Sequence, residues 1–199
     1  MDNRLTWMNT MNNILIISGH PDLEHSTANG RIIERVQTAF PQTVVRRLDT
    51  LYPDGTIDAA AEQAALAQAD VIVWQFPFYW YSAPALMRSW LEGVLTYGFA
   101  YGSSGDKLHG RKLIVSLTAG GSAEGYSKGG YEGFDIEDYF PQFVSTAHLC
   151  GMDYQAPVYS YNMAYLPGIS SEADLAAIRS RADEHAAQLI ERIREALAS

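Results

Sequence analysis

Val71-Ile72-Val73-Trp74-Gln75-Phe76 decides the architecture. A strand with one wet face alternates apolar and polar residues, and this one holds a single polar side chain, Gln75. Such a run fits a strand buried on both faces of a parallel sheet. Ile14-Leu15-Ile16-Ile17-Ser18 and Lys112-Leu113-Ile114-Val115-Ser116-Leu117 have the same character. Residues 43–48 alternate like a further strand, and a fifth is expected near 154–159. Between the strands the spacing changes to helical. Ile32, Ile33, Val36 and Phe40 share one side of 27–40, and Pro41 ends that segment. Residues 59–69 are good helix formers, whereas 51–57, with Pro53 and Gly55, read as a loop. Pro84 opens a helix to about 96, with Leu86, Trp90, Leu91 and Val94 spaced to face the sheet. Helices follow over 136–149 and 172–197, the latter with Ser170 or Ser171 as N-cap.

Strands alternating with helices call for a parallel sheet covered on both faces, with right-handed crossovers. Five strands in this order match an α/β three-layer sandwich of flavodoxin-like order 2-1-3-4-5. The 199 residues suit one domain, expected over 13–199, with 1–12 as a flexible extension that also contains Met8 and Met11. The formal charge is −9, and the 14 basic residues are scattered, which disfavours nucleic acid as a partner. A lone cysteine, Cys150, excludes an internal disulfide and reads as a buried thiol in an apolar stretch. No leader-like segment precedes the first strand, and 71–87 is interrupted by Gln75, Pro77, Ser82 and Pro84, short of the ~20 clean residues of a membrane span. The expectation is a cytoplasmic protein with no direct membrane insertion.

Ligands of open α/β sheets sit beyond the carboxyl ends of the strands, at the switch point. Three loops meet that condition. The first, Ser18-Gly19-His20-Pro21-Asp22-Leu23-Glu24-His25-Ser26-Thr27-Ala28-Asn29, lacks GxGxxG and so is no standard dinucleotide turn. It brings hydroxyls and N–H groups to a helix N-terminus, fit for the phosphate of FMN or the pyrophosphate of FAD, with His20 adding a hydrogen bond. A surface loop capped by Ser26 accounts for it equally well. The second, Phe76-Pro77-Phe78-Tyr79-Trp80-Tyr81-Ser82-Ala83-Pro84, sets four consecutive aromatics between prolines. It supplies a wall for a flat ring, a hydrophobic dimer patch, or both. The third, Thr118-Ala119-Gly120-Gly121-Ser122-Ala123-Glu124-Gly125-Tyr126, lets the backbone approach a ligand and offers N–H donors to developing negative charge. Trp74, Trp90, His109 and His148 read as structural or surface residues. His185 is placed on the last helix, far from the strand ends, and the acidic 135–138 stretch as a helix N-terminus.

Together, Phe76–Leu86, Gly98-Phe99-Ala100-Tyr101-Gly102 and Thr118-Ala119-Gly120-Gly121 resemble the NAD(P)H:quinone oxidoreductase family of flavodoxin-like flavoproteins. Leu51-Tyr52-Pro53-Asp54, Ile57-Asp58 and Ala61-Glu62-Gln63 resemble its bacterial branch of ancillary oxidoreductases of glutathione-gated potassium efflux. The resemblance runs from about Asn13 to Arg194. It implies a bound flavin, FMN in the bacterial branch and FAD in the mammalian one. It also implies NADPH or NADH as donor, a quinone-like acceptor, ping-pong hydride transfer, and a homodimer with the site at its interface. Flavin contacts are carried over to His20, Ser26, Thr27, Ala28, Asn29, Phe78, Tyr79, Trp80, Tyr81, Thr118, Ala119, Gly120 and Gly121, and the catalytic tyrosine to Tyr126. No metal is implied. The family's histidine six residues beyond that tyrosine is Glu132 here, which puts proton supply on Tyr126 and solvent. The alternative role is a regulatory subunit that binds and activates a potassium/proton antiporter.

Overall fold

The computed structural model describes residues 13–199; the expected extension over 1–12 lies outside the described residues. Strands β1 (Ile14–Ser18), β2 (Val44–Arg47), β3 (Val71–Pro77) and β4 (Lys112–Thr118) are parallel, in the order β2-β1-β3-β4. The fifth position beside β4 is filled by two short pieces, β5 (Asp153–Tyr154) and β6 (Val158–Ser160). The order 2-1-3-4-5 is therefore as the alternation required, but the last strand is interrupted where Pro157 has no N–H to give the ladder.

All residues of β1 and β3 are buried, as their unbroken apolar runs demand. Alternation then sorts their side chains between two cores. Leu15, Ile17, Ile72, Trp74, Phe76, Leu113 and Val115 face α3 (Ala59–Gln68), α4 (Ala85–Val94) and α5 (Pro141–Leu149). Ile14, Ile16, Val71, Val73 and Ile114 face α1 (Asn29–Ala39) and α6 (Glu172–Ala198). Trp74 and Trp90 are core residues, and so is Cys150, whose thiol burial pushes up to about 11. Ser171 caps α6 through a reciprocal bond with Asp174.

Two element boundaries differ from expectation. Strand β2 gives way at Leu48 to a single helical turn, α2 (Leu48–Leu51), which buries Leu48. The segment expected as one helix over 136–149 is a 3-10 turn, Ile136–Tyr139, followed by α5. Pro141 cannot donate back to the preceding turn, so it opens a new helix instead of continuing one. Asp135 and Asp138 form the capping box of that 3-10 turn.

One buried carboxylate joins the layers on the α3–α4 face. Glu62, fully buried, accepts from Arg46 Nε (2.9 Å) and Nη2 (2.5 Å), from the Tyr52 hydroxyl (2.6 Å) and from Trp90 Nε1 (2.9 Å). Sheet edge, loop, α3 and α4 thus meet on a single group. Removing one member of a buried charge cluster strands the others, so Glu62→Ala is expected to lower unfolding free energy by about 3 kcal/mol or more in urea titration. Glu62→Gln, which keeps an acceptor for Tyr52 or Trp90, should lose less.

Candidate active site

The switch point lies between β1, which turns to β2, and β3, which leads to β4. A cavity of about 500 Å³ opens there beyond the strand ends. That is within the roughly 300–1,000 Å³ of small-ligand sites. It is lined at one end by His20, His25, Ser26, Thr27, Ala28 and Asn29, and at the other by Pro77, Phe78, Tyr79, Thr118 and Gly120, with residues 163–167 closing one side.

The first end is built for an anion. Helix α1 begins at Asn29 with no acidic residue in its first turn. The N-cap position is Ala28 and not Ser26; Ser26 Oγ accepts from the Asn29 N–H (3.0 Å) from the turn before it, while Thr27 lines the cavity. The remaining N-terminal amides and the helix dipole favour a phosphate without a lysine or arginine. His20 Nδ1 accepts from the Asp22 N–H (3.1 Å), so the neutral ring carries its proton on Nε2. Burial lowers the His20 pKa, which keeps it a neutral donor. His25 behaves oppositely: its bond to the Asp22 carboxylate (2.9 Å) raises its pKa and favours a positive charge beside the anion end. The loop leaves β1 under tight constraint, since a Cβ at Gly19 would lie 2.7 Å from Met87 Cβ.

The second end is flat and aromatic. Phe78 is buried against Tyr126 (ring centroids 6.0 Å) and Tyr139 (5.5 Å), and Tyr126 also meets Tyr161 at 5.9 Å. Tyr126 is not among the residues that line the cavity; its ring packs on Phe78, which does. Burial, with the Glu132 carboxylate nearby, pushes its pKa up to about 12, so the phenol stays protonated at neutral pH. The glycine-rich 120–133 segment folds around these tyrosines; a Cβ at Gly130 would lie 2.2 Å from Glu124 O, so only glycine fits.

A family model described as flavodoxin-like fold matches residues 12–186. The glutathione-regulated potassium-efflux system ancillary protein of Salmonella typhimurium is 44% identical over 144 residues, 72% of this chain and 80% of that protein. The chain belongs to the flavodoxin-like NAD(P)H:quinone oxidoreductase family. Among solved structures, general stress protein 14 from Treponema denticola, in complex with FMN, is 34% identical with a TM-score of 0.78, covering 91% of this chain and 99% of that one. An NADPH-quinone reductase from P. pentosaceus is 27% identical with a TM-score of 0.66, covering 86% and 98%.

In this family member the cavity gathers His20, Ser26, Thr27, Ala28, Asn29, Phe78, Tyr79, Thr118 and Gly120 from the positions carried over by resemblance. Trp80, Tyr81, Ala119 and Gly121 do not line it. Ala119 is buried in the strand-end turn, and Gly121 sits against Tyr126, where a Cβ would be 3.0 Å from Cε2. Met163, Ala164, Leu166, Pro167 and His25 are lining groups that the sequence reading did not assign. His25 was within the loop singled out, and its spacing to Asp22 was the available signal. His185 requires a correction. It is completely buried and touches the C-terminal halves of two strands, with Nε2 at 2.8 Å from Ser116 Oγ and Nδ1 at 2.8 Å from Ser160 Oγ.

Trp80 and Tyr81 occupy the two central positions of a tight turn closed by reciprocal bonds between Tyr79 and Ser82 (3.0 Å each). Both have positive φ, 48° and 62°, the type I′ geometry that usually takes Asn-Gly. Trp80 is 92% exposed, and Tyr81 stacks on Tyr139 (5.6 Å, 19°). The strain of two bulky residues there, roughly 1–2 kcal/mol each, is not repaid by burial at Trp80.

Two outcomes follow. Trp80→Gly should raise thermal stability, by about 1 kcal/mol, because it removes strain without removing a contact. For His185, burial lowers the pKa to about 4 from an unfolded 6.5. Its stability contribution is therefore complete above pH 6.5 and is lost as pH falls toward 4. That loss, about 3 kcal/mol, should appear in urea midpoints of the wild type and be absent in His185→Gln.

Proposed function

We propose that the chain is an FMN-dependent oxidoreductase that transfers hydride from NADPH or NADH to quinone-like acceptors. The observation that carries this reading is the single cavity joining an open helix N-terminus to an aromatic strand-end loop: one end suits a phosphate, the other a flat ring. The FMN-bound Treponema denticola protein supports the choice of FMN over FAD. When bound, FMN supplies the two-electron redox chemistry.

The chain's own residues bind, orient and polarise. Ser26, Thr27 and the first amides of α1 hold the phosphate, assisted by His25. Phe78 and Tyr79 form the wall against the ring, and Thr118 and Gly120 its opposite edge. Tyr126 keeps its proton and serves as a hydrogen-bond donor where negative charge develops. Glu132, at the position of the family histidine, raises the Tyr81 pKa and adds to the burial that raises that of Tyr126.

The protein works as a homodimer in this reading. A groove of about 330 Å³ between α4 and α5 is lined by Leu91, Leu95, Tyr101, Phe143 and Leu149, the last 63% exposed. An apolar face of this kind beside the aromatic loop suits a second copy of the chain. Ancillary action on a potassium/proton antiporter is a second role, supported by the name of the Salmonella relatives. No helix among the described residues is long and apolar enough to cross a membrane, so this role rests on contact with the transporter.

The decisive measurement is the absorbance spectrum of the purified protein before and after anaerobic NADPH or NADH. Bands near ~370 and ~450 nm that bleach on addition support the reading, and acid release then identifies FMN. A protein that stays colourless after incubation with FMN overturns it. Tyr126→Phe should lower kcat about tenfold or more while FMN remains bound.

A further inference from the structure

A chain of buried polar groups runs behind the cavity on the α1–α6 face of the sheet. Ser18, Gln75 and Ser116 stand in register across β1, β3 and β4, and each is almost wholly buried. Gln75 Nε2 donates to Asn29 Oδ1 (2.8 Å), and Asn29 Nδ2 donates to Thr118 Oγ1 (3.0 Å). On the other side, Ser116 Oγ donates to Gln75 Oε1 (2.6 Å) and lies 2.8 Å from His185 Nε2. His185 Nδ1 is 2.8 Å from Ser160 Oγ. Asn29 and Thr118 line the cavity, whereas His185, Ser116 and Gln75 do not.

The bonds have one direction. Ser116 has a single proton and spends it on Gln75, whose Oε1 can only accept. Ser116 Oγ must then accept from His185, so the neutral imidazole carries its proton on Nε2 and accepts from the Ser160 hydroxyl at Nδ1. Each link from His185 to Thr118 thereby has an assigned direction. Its oxygen already accepts from Asn29, which leaves its own O–H for the cavity.

We propose that His185 is a positioning residue of the active site: through Ser116, Gln75 and Asn29 it sets Thr118 as a hydrogen-bond donor to an acceptor atom of the bound flavin. This rests on the flavin reading above. The chain could be satisfied in the opposite sense only if the His185 proton moved to Nδ1, both amides turned over and the hydroxyls reversed. Thr118 would then spend its proton on Asn29 and face the ligand with a lone pair. A buried imidazole with two serine partners fixes which of these the ligand meets.

Two measurements test this. In 15N-histidine-labelled protein, the long-range 1H–15N spectrum, with His185 assigned from its loss in His185→Gln, should show the Nε2–H tautomer. The Nδ1–H tautomer would overturn the proposal. In titrations of apoprotein with FMN followed by flavin fluorescence, Ser116→Ala and Thr118→Val should each weaken binding about tenfold, and the double variant should weaken it no further, because both remove the same donor. Additive losses, or single losses under about twofold, would overturn it. Wild-type protein that bound no FMN would bring down the flavin reading and this proposal together. Normal wild-type affinity with unchanged variants would bring down this proposal alone.

Discussion

A parallel sheet covered on both faces has no water to offer a polar side chain, so a polar group it holds needs a partner inside the protein; Gln75 and Ser116 find one, whereas Ser18 Oγ in the same row does not. This requirement governs the molecule. The interior of β1, β3 and β4 is apolar until the row formed by Ser18, Gln75 and Ser116, near the carboxyl ends. Two residues further along β4, on the same face, stands Thr118, and the cavity begins there. The polar row and the cavity are the same transition viewed from inside and outside.

The two faces solve the requirement differently. On the α3–α4 face a single carboxylate, Glu62, gathers donors from three other parts of the chain and serves cohesion. On the α1–α6 face uncharged groups are strung in sequence, from a helix, through two strands, to a second helix and back to the sheet. A chain of uncharged groups avoids the penalty of a buried charge but needs every member in one orientation. The α1–α6 layer is clamped separately at its surface, where Asp183 receives Arg31 (2.6 Å) and Arg35 (2.8 Å).

Local grammar was legible in the sequence. Unbroken apolar runs identified the central strands, Pro84 opened α4, and the aromatic and glycine-rich loops singled out at the strand ends supply Phe78, Tyr79, Thr118 and Gly120 to the cavity lining. Events set by tertiary contact were not. The fifth strand reads as continuous until Pro157 is seen to interrupt its ladder. Trp80-Tyr81 carries none of the Asn-Gly chemistry that announces a type I′ turn. Ser116 and His185 are separated by 69 residues and no periodicity links them, so a histidine on the inner stripe of α6 looks like any other amphipathic residue until the strand beneath it is placed. Residues 163–167 reach the cavity only because β6 returns the chain beside β4.

The interrupted fifth strand also matters for how copies of this protein behave when crowded. A sheet ends in rows of unpaired backbone groups that can recruit another molecule's strand. Here one border offers only two- and three-residue pieces separated by residues 155–157, including a proline that cannot donate. The opposite border, β2, is four residues long and ends in Arg46 and Arg47. Neither gives an incoming strand a long uncharged template. Association through sheet extension, the route to fibres, is thereby discouraged at both borders, and most of the exposed apolar surface lies on helices and loops.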